Sequence, residues 1–312
     1  MSDFPSFDLA AFEAAHQDAR HDMTRALDRI CRNTGFLLLQ GHGIDAAVID
    51  DVWQAAAAFF AQGADIKHGV APPFQGYPYG YIGPNAEALA RSRGVDTPPD
   101  LKESFNGGPL TVPQDASADA LAFCYQPTLW PALPGFRPAW EAYYAAMEDL
   151  AARVMRAFAM ALDLPAGFFE PAIANPISAL RALHYPATTD APKTGQQRAG
   201  AHSDYGSLTI LLPQPGRPGL QVHQDGIWVD VPAPKDAFVI NIGDLMARWT
   251  ADRWVSTLHR VVVMPGQPAR QSLAYFHQPN WDAEIVPLDG LGAYPPVRSG
   301  PYLMDKFKAT GV

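Results

Sequence analysis

The chain has 312 residues, 48% of them hydrophobic and 18% charged, with 30 prolines and a formal net charge of −9. This composition supports a large globular core and excludes a disordered or low-complexity protein. The acidic balance excludes a surface that tracks nucleic-acid phosphates, or an anionic membrane, as the main partner, although one arginine can still hold a small anion locally.

Cys31 and Cys124 are the only cysteines, too few and too far apart for a disulfide framework or a cysteine metal motif. Free thiols suit a reducing compartment, so a cytoplasmic location is expected. The N-terminus lacks the basic start and apolar centre of a signal peptide. No run approaches the roughly 18 apolar residues that span a bilayer. The expected partner is a small-molecule substrate, with no nucleic acid and no membrane; the oligomeric state stays open.

Over residues 14–33, Ala19, Met23, Ala26, Leu27, Ile30 and Cys31 fall on one helical face, with Gly35 as a stop. "FLLLQGHGI" reads as a short buried strand, and Asp45 caps the helix that follows. Residues 70–133 are rich in Pro, Gly and aromatics with weak periodicity, which predicts long loops with short helices, and loops of such length are often functional. Pro138 opens the longest helix, whose core stripe is Tyr143, Met147, Leu150, Val154, Phe158 and Leu162; Pro165 ends it.

After about residue 178 short apolar or alternating runs are divided by Gly and Pro, and Asp225-Gly226 signals a hairpin. Six or more short strands there predict a β-sandwich or barrel, buttressed by helices from the first half.

"GAHSDYGSLTILL" places His202 and Asp204 two apart at the entrance to an apolar run. On one strand face they offer an imidazole nitrogen and a carboxylate oxygen to the same point, with Ser203 facing away. A third ligand has to come from elsewhere. His16 and His21 read as polar-face residues, His68 as a loop residue and His42 as part of a turn. His184, His223 and His277 read as satisfied strand histidines. His259, in "STLHRVV", starts a buried run. His202, Asp204 and His259 together make two imidazoles and one carboxylate, the facial set of non-haem Fe(II) oxygenases, which leaves positions open for a chelating co-substrate and O₂. A hydrolytic zinc site is the weaker reading, since no nearby general base completes it.

Arg270 and Ser272 share a strand face, and a guanidinium with a hydroxyl can grip a carboxylate. An internal ion pair with a protein acid is the alternative. Beside the His-Asp-His set, a dicarboxylate co-substrate explains the pair better.

Taken together, Tyr185-Pro186, "AHSDYGSLTILL", "GLQV" with Trp228, "VINIGDLMARWT", "STLHRVV" and "RQSLAYF" resemble the isopenicillin N synthase-like family of iron(II)- and 2-oxoglutarate-dependent dioxygenases. "TGFLLLQGHGI" and "DLKESF" resemble that family's leading region, so the likeness covers most of the chain. It implies a mostly β fold with helical support: a double-stranded β-helix (jelly roll) core, a helical N-terminal region and a long backbone helix. The family region is expected over residues 5–120 and the jelly-roll domain over residues 175–280. The resemblance also implies Fe(II) on His202, Asp204 and His259, and 2-oxoglutarate on Arg270 and Ser272, with the Tyr185 hydroxyl on the same carboxylate. O₂ then converts 2-oxoglutarate to succinate and CO₂ while the substrate is hydroxylated, desaturated or cyclised. Plant members often carry Asn where this chain has Leu183, so plant-type substrates are not inherited.

Tyr77, Tyr79 and Tyr81 are expected at the mouth of the site or, equally ordinary, in loop packing. Lys102, Phe105 and Phe276 are further candidates for substrate contact. The C-terminal "GPYLMDKFKATGV" is read as a lid or a surface helix. An Fe(II) oxidase that uses no 2-oxoglutarate, and a non-catalytic module that binds a small acid, remain as rivals.

Overall fold

Side chains alternate along the strands Ala179–Tyr185 and Arg270–His277, and both faces of each strand are buried. One face carries Leu180, Ala182, Leu273 and Tyr275 into a core shared with helices. The other carries Leu183, Tyr185 and Ala274 into a second cluster between two sheets. This two-sided burial produces a jelly roll backed by helices. The structure is a computed structural model that describes residues 4–188, 192–217, 219–288, 290, 292 and 294–310.

In chain order the strands of the two sheets are β1 (Ser6–Asp8), β2 (Phe36–Gln40), β3 (Gly80–Ile82), β4 (Glu103–Gly107), β5 (Ala179–Tyr185) and β6 (Ala199–His202). They continue with β7 (Leu208–Pro213), β8 (Leu220–Gln224), β9 (Ile227–Asp230), β10 (Phe238–Ile242), β11 (His259–Val261) and β12 (Arg270–His277). The larger sheet has the order β1-β2-β10-β7-β12-β5-β4-β3, and the smaller is β6-β11-β8-β9. Only the β1–β2 pair is parallel; every other pair in these two sheets is antiparallel. Val222, Leu220, Val261 and Ala199 from the smaller sheet face Leu38, Val239 and Ala274 from the larger. Asp225 and Gly226 both have positive φ, 48° and 83°, the backbone of a two-residue turn that matches the strand twist between β8 and β9.

The outer face of the larger sheet is covered by the helix Phe136–Ala161, with Pro138 in its first turn, where no backbone N–H is missed. Tyr144 from this helix meets the Tyr275 ring at 5.2 Å and donates its hydroxyl to Ser178 O at 2.8 Å. The helix Ala46–Phe60 starts at Asp45, which accepts from Ala47 N at 2.9 Å.

The fold corrects several sequence expectations. The first long helix spans Gln17–Asn33, after a separate short helix Leu9–Ala14 that ends at Ala15. The stretch 70–133 is not only loop and helix: it supplies β3 and β4, the edge of the larger sheet. Their short length and mixed composition hide the strand period. His68 ends a helical turn, Ala64–His68. No helix among the described residues is long and apolar enough to cross a membrane.

Candidate metal and co-substrate site

β6 ends on His202, which pairs with His259 of β11. The next partners are Val261 and Ala199, so Gly200 and Ala201 on β6 together oppose Arg260 alone on β11. Such a bulge bends the strand and re-aims its side chains. Asp204 is not on that strand face, as the two-residue spacing suggested; it lies just beyond it, in the turn 203–207. A second loop holds this turn. Asp204 O accepts from Asp244 N at 2.7 Å, and Gly206 O accepts from Leu245 N at 3.1 Å. Gly243 permits that contact, because a Cβ there would lie 2.2 Å from Gly206 O.

Asp204 Oδ1 is 3.8 Å from His202 Nε2 and 3.7 Å from His259 Nε2. The other carboxylate oxygen, Oδ2, is occupied: it accepts from Thr209 Oγ1 at 2.5 Å and from Asn241 Nδ2 at 2.7 Å. Each histidine is held through its other nitrogen, Nδ1 of His202 to Gly200 O at 2.7 Å and Nδ1 of His259 to Thr257 O at 3.2 Å. These bonds assign the proton to Nδ1 and leave Nε2 as a lone-pair donor. Burial and the neighbouring His259 push the His202 imidazole down to about 3, against the pull of Asp204. Burial alone would raise the Asp204 carboxyl, but the two imidazoles and the Asn241 and Thr209 bonds hold it below its ordinary value. Three preset atoms, Nε2, Oδ1 and Nε2, thus face one another within 4.8 Å. Two imidazole nitrogens and one carboxylate oxygen fit Fe(II) with positions left open for other ligands.

Deeper between the sheets, Arg270 pairs across the ladder with Tyr185, and Ser272 with Leu183. Both Arg270 and Ser272 are buried. Arg270 Nε and Nη1 and Ser272 Oγ have no hydrogen-bond partner among the described residues. The guanidinium lies over the Tyr185 ring, 4.8 Å from its centroid. No acid pairs with Arg270 among the described residues, which removes the internal ion pair.

A second buried arginine, Arg198, stands near it and was not singled out from the sequence. Its Nη2 donates to Pro186 O and Pro268 O, both at 2.9 Å, while its Nε has no partner among the described residues. Burial lowers its pKa, and the Arg270 charge lowers it further. Two neighbouring buried guanidinium groups, neither paired with a carboxylate among the described residues, suit an anion.

The other candidates divide. Phe276 lies on the inner face of β12 beside Ala274. Phe105 does not reach the site: it sits in the helix-side core against Phe59, Phe136 and Trp140. Tyr79 and Tyr81 are buried and tied by their hydroxyls to Cys124 O and Glu103, and Tyr77 donates to Pro127 O. They serve packing, Tyr81 from strand β3, rather than a mouth. Lys102 is buried between Glu87 and Asp100, at 3.1 and 3.2 Å. His277 and His184 are satisfied by Ser207 and Glu103. The C-terminal segment forms the helix Ser299–Thr310, which rests on the turn after Asp204 through Phe307 and Tyr205, 5.5 Å between rings; its last two residues lie outside the described ones.

Residues 176–279 match the 2OG-Fe(II) oxygenase superfamily, and residues 4–133 match the family described as non-haem dioxygenase in morphine synthesis N-terminal. The chain is 35% identical to the 2-oxoglutarate-dependent dioxygenase citB of Monascus ruber, over 92% of this chain and 88% of that protein. It is 33% identical to the validamycin A dioxygenase of Streptomyces hygroscopicus subsp. limoneus, over 97% of this chain and 85% of that protein. The crystal structure of a full-length Neurospora crassa protein in complex with alpha-KG superposes with a TM-score of 0.86 at 29% identity, covering 99% of this chain and 98% of that one. These findings do not favour the oxidase without 2-oxoglutarate or the non-catalytic module. The chain belongs to the 2-oxoglutarate- and Fe(II)-dependent oxygenase superfamily, as a 2-oxoglutarate-dependent dioxygenase.

Proposed function

We propose that His202, Asp204 and His259 hold the iron of this dioxygenase, and that Arg270, Ser272 and Tyr185 hold the distal carboxylate of its co-substrate. Bound there, Fe(II) supplies the redox chemistry by which O₂ converts 2-oxoglutarate to succinate and CO₂ and oxidises a small organic molecule. The side chains position and shield. Thr209 and Asn241 keep one oxygen of Asp204 fixed so that the other faces the two imidazoles. Tyr185 packs its ring under Arg270, and its hydroxyl makes no hydrogen bond among the described residues, which suits a contact to the same carboxylate.

The observation that carries this reading is the set of orphaned donors: buried Nε and Nη1 of Arg270 and buried Oγ of Ser272. A buried donor without a partner costs about 1–3 kcal/mol, and more when charged, so the pocket is built for an acceptor. The jelly roll of residues 175–280 would then be the catalytic unit, with residues 5–120 and the long helix as its support. The same Neurospora crassa protein, solved in complex with alpha-KG and thymine, supports a small-molecule substrate. Two buried free cysteines support a cytoplasmic setting.

Calorimetric titration of 2-oxoglutarate into the anaerobic Mn(II)-loaded protein tests the pocket. Removing one partner of a buried charge pair costs about 2–5 kcal/mol, so Arg270→Ala weakens binding by roughly thirtyfold to a few thousandfold. Ser272→Ala weakens it on the order of tenfold. Unchanged affinity in Arg270→Ala would overturn the assignment.

A further inference from the structure

Two polar side chains of β4 stand on the face turned towards the space between the sheets. Asn106 lies across the ladder from Arg181, and Ser104 from Leu183. Arg181, Leu183 and Tyr185 alternate on β5, and the latter two line the inner cluster. A chain of contacts ties this wall to the iron site. His202 Nδ1 bonds Gly200 O, Gly200 N donates to Asp100 Oδ1, and Asp100 Oδ2 accepts from Lys102, which also pairs with Glu87. Arg181 completes the chain. Its Nε donates to Asn106 Oδ1 at 2.6 Å, and its Nη1 and Nη2 reach the two oxygens of Glu87 at 3.3 and 3.2 Å.

The charges in this wall cancel: Arg181 and Lys102 against Glu87 and Asp100. Glu87 is ionised, because the Arg181 and Lys102 charges outweigh the effect of its burial and hold it at about 2. The hydrogen bonds do not cancel. Three of the five N–H groups of a guanidinium are used on Arg181, leaving two. Asn106 is buried, yet its Nδ2 has no partner among the described residues. Ser104 Oγ is fully buried and has no partner among the described residues. The wall therefore offers spare donors and no net charge. One strand away, Phe276 adds an apolar surface on the same inner face.

We propose that the primary substrate is an uncharged, carbonyl-bearing molecule held by Arg181 and Asn106, and that Glu87 is the residue that excludes carboxylates. This rests on the dioxygenase reading of the same site. A carbonyl oxygen accepts the spare N–H groups at no electrostatic penalty. A carboxylate meets the same donors, but Glu87 and Asp100 already neutralise Arg181 and Lys102, so no net positive charge is left to offset its desolvation. An ammonium group meets donors it cannot use and the charge of Arg181.

The test uses three single-ring probes that differ mainly in charge: benzamide, benzoate and benzylamine. Each is added at the same millimolar concentration to the full chain loaded with Mn(II) and 2-oxoglutarate, and the paramagnetic broadening of probe protons is read by NMR. The wild-type protein should broaden benzamide roughly tenfold more than either charged probe. Arg181→Met should abolish that broadening. Glu87→Gln, which leaves the wall with one net positive charge, should shift the preference to benzoate by on the order of tenfold. The wild-type comparison needs no variant, so misfolding of a variant cannot shelter the proposal. Preference for benzoate or benzylamine in the wild type, absence of benzamide broadening, or an unchanged ratio in folded Glu87→Gln would overturn it. If 2-oxoglutarate itself fails to bind the Mn(II)-loaded wild type, the pocket assignment fails instead.

Discussion

Asn241 donates from Nδ2 to Asp204 Oδ2 at 2.7 Å, beside the Thr209 hydroxyl that bonds the same oxygen. Asn241 and Thr209 face each other across the β10–β7 ladder, so the larger sheet itself orients the proposed ligand Asp204, which is borne by a turn. Partners of this kind typically contribute about 10–100-fold to metal affinity. Asn241→Leu, close in size but unable to donate, should weaken Fe(II) or Mn(II) binding by roughly that factor. Competition with a chromophoric chelator measures it; wild-type affinity in the variant would remove Asn241 from the site.

Arg198 joins the chain after Tyr185 to the chain before Arg270 by bonds to Pro186 O and Pro268 O. Its loss should loosen both residues and remove one positive charge beside Arg270. Arg198→Met should weaken 2-oxoglutarate by about tenfold or more while metal affinity stays within about twofold of wild type. Arg198→Lys should recover part of the loss through its charge. If Arg198→Met lowers the melting temperature but leaves 2-oxoglutarate affinity intact, its role is structural alone.

Gly243→Ala should damage fold and site together. Its φ of −99° suits any residue, so the obstacle is the 2.2 Å approach of a Cβ to Gly206 O. Overpacking of this kind costs about 1–3 kcal/mol. It would push apart the two loops joined by Asp244 N and Asp204 O. Denaturant unfolding and metal titration should both shift; a change in neither would show that the loops do not restrain Asp204.

Acid should destabilise the protein in two windows. The buried His277 imidazole is pushed from its ordinary 6.5 down to about 3 by burial. The unfolded chain therefore takes up that proton first, so stability is full above 6.5 and declines as pH falls towards 3, by about 1.4 kcal/mol at about pH 5.5. Glu87 has an ordinary value of 4.5 and is held at about 2 in the fold. Its contribution is present above 4.5 and lost as pH falls through 2, on the order of 3 kcal/mol in all. Urea unfolding across this range should show His277→Gln flattening the upper window and Glu87→Gln the lower. An unaltered profile in either variant would refute that residue's part.

The three side chains that converge as a candidate metal set were legible in the sequence because their chemistry is rare in such surroundings: His202 and Asp204 open an apolar run, and His259 opens another. It did not show that Asp204 leaves the strand, since the bulge in β6 against β11 is a property of strand pairing and not of one segment. Thr209 and Asn241 had a readable signal, a polar residue inside each of the apolar strands "LTILLP" and "FVINI". Arg198 had none, because its partners are backbone carbonyls 12 and 70 residues away. Phe105 was read as a candidate for substrate contact because a short strand lacks the period that separates a core face from a mouth; Tyr79 and Tyr81, left open between a mouth and packing, are decided by their burial.

Anaerobic addition of Fe(II) and then 2-oxoglutarate, followed by the visible charge-transfer absorption of the chelated co-substrate, tests the central claim most directly. The wild-type protein should take up a single Fe(II) per chain and develop the band as 2-oxoglutarate is added, while Asp204→Ala should lose tight iron binding and show no band. Full iron uptake with an undiminished band in Asp204→Ala would contradict the assignment of His202, Asp204 and His259 as the iron site.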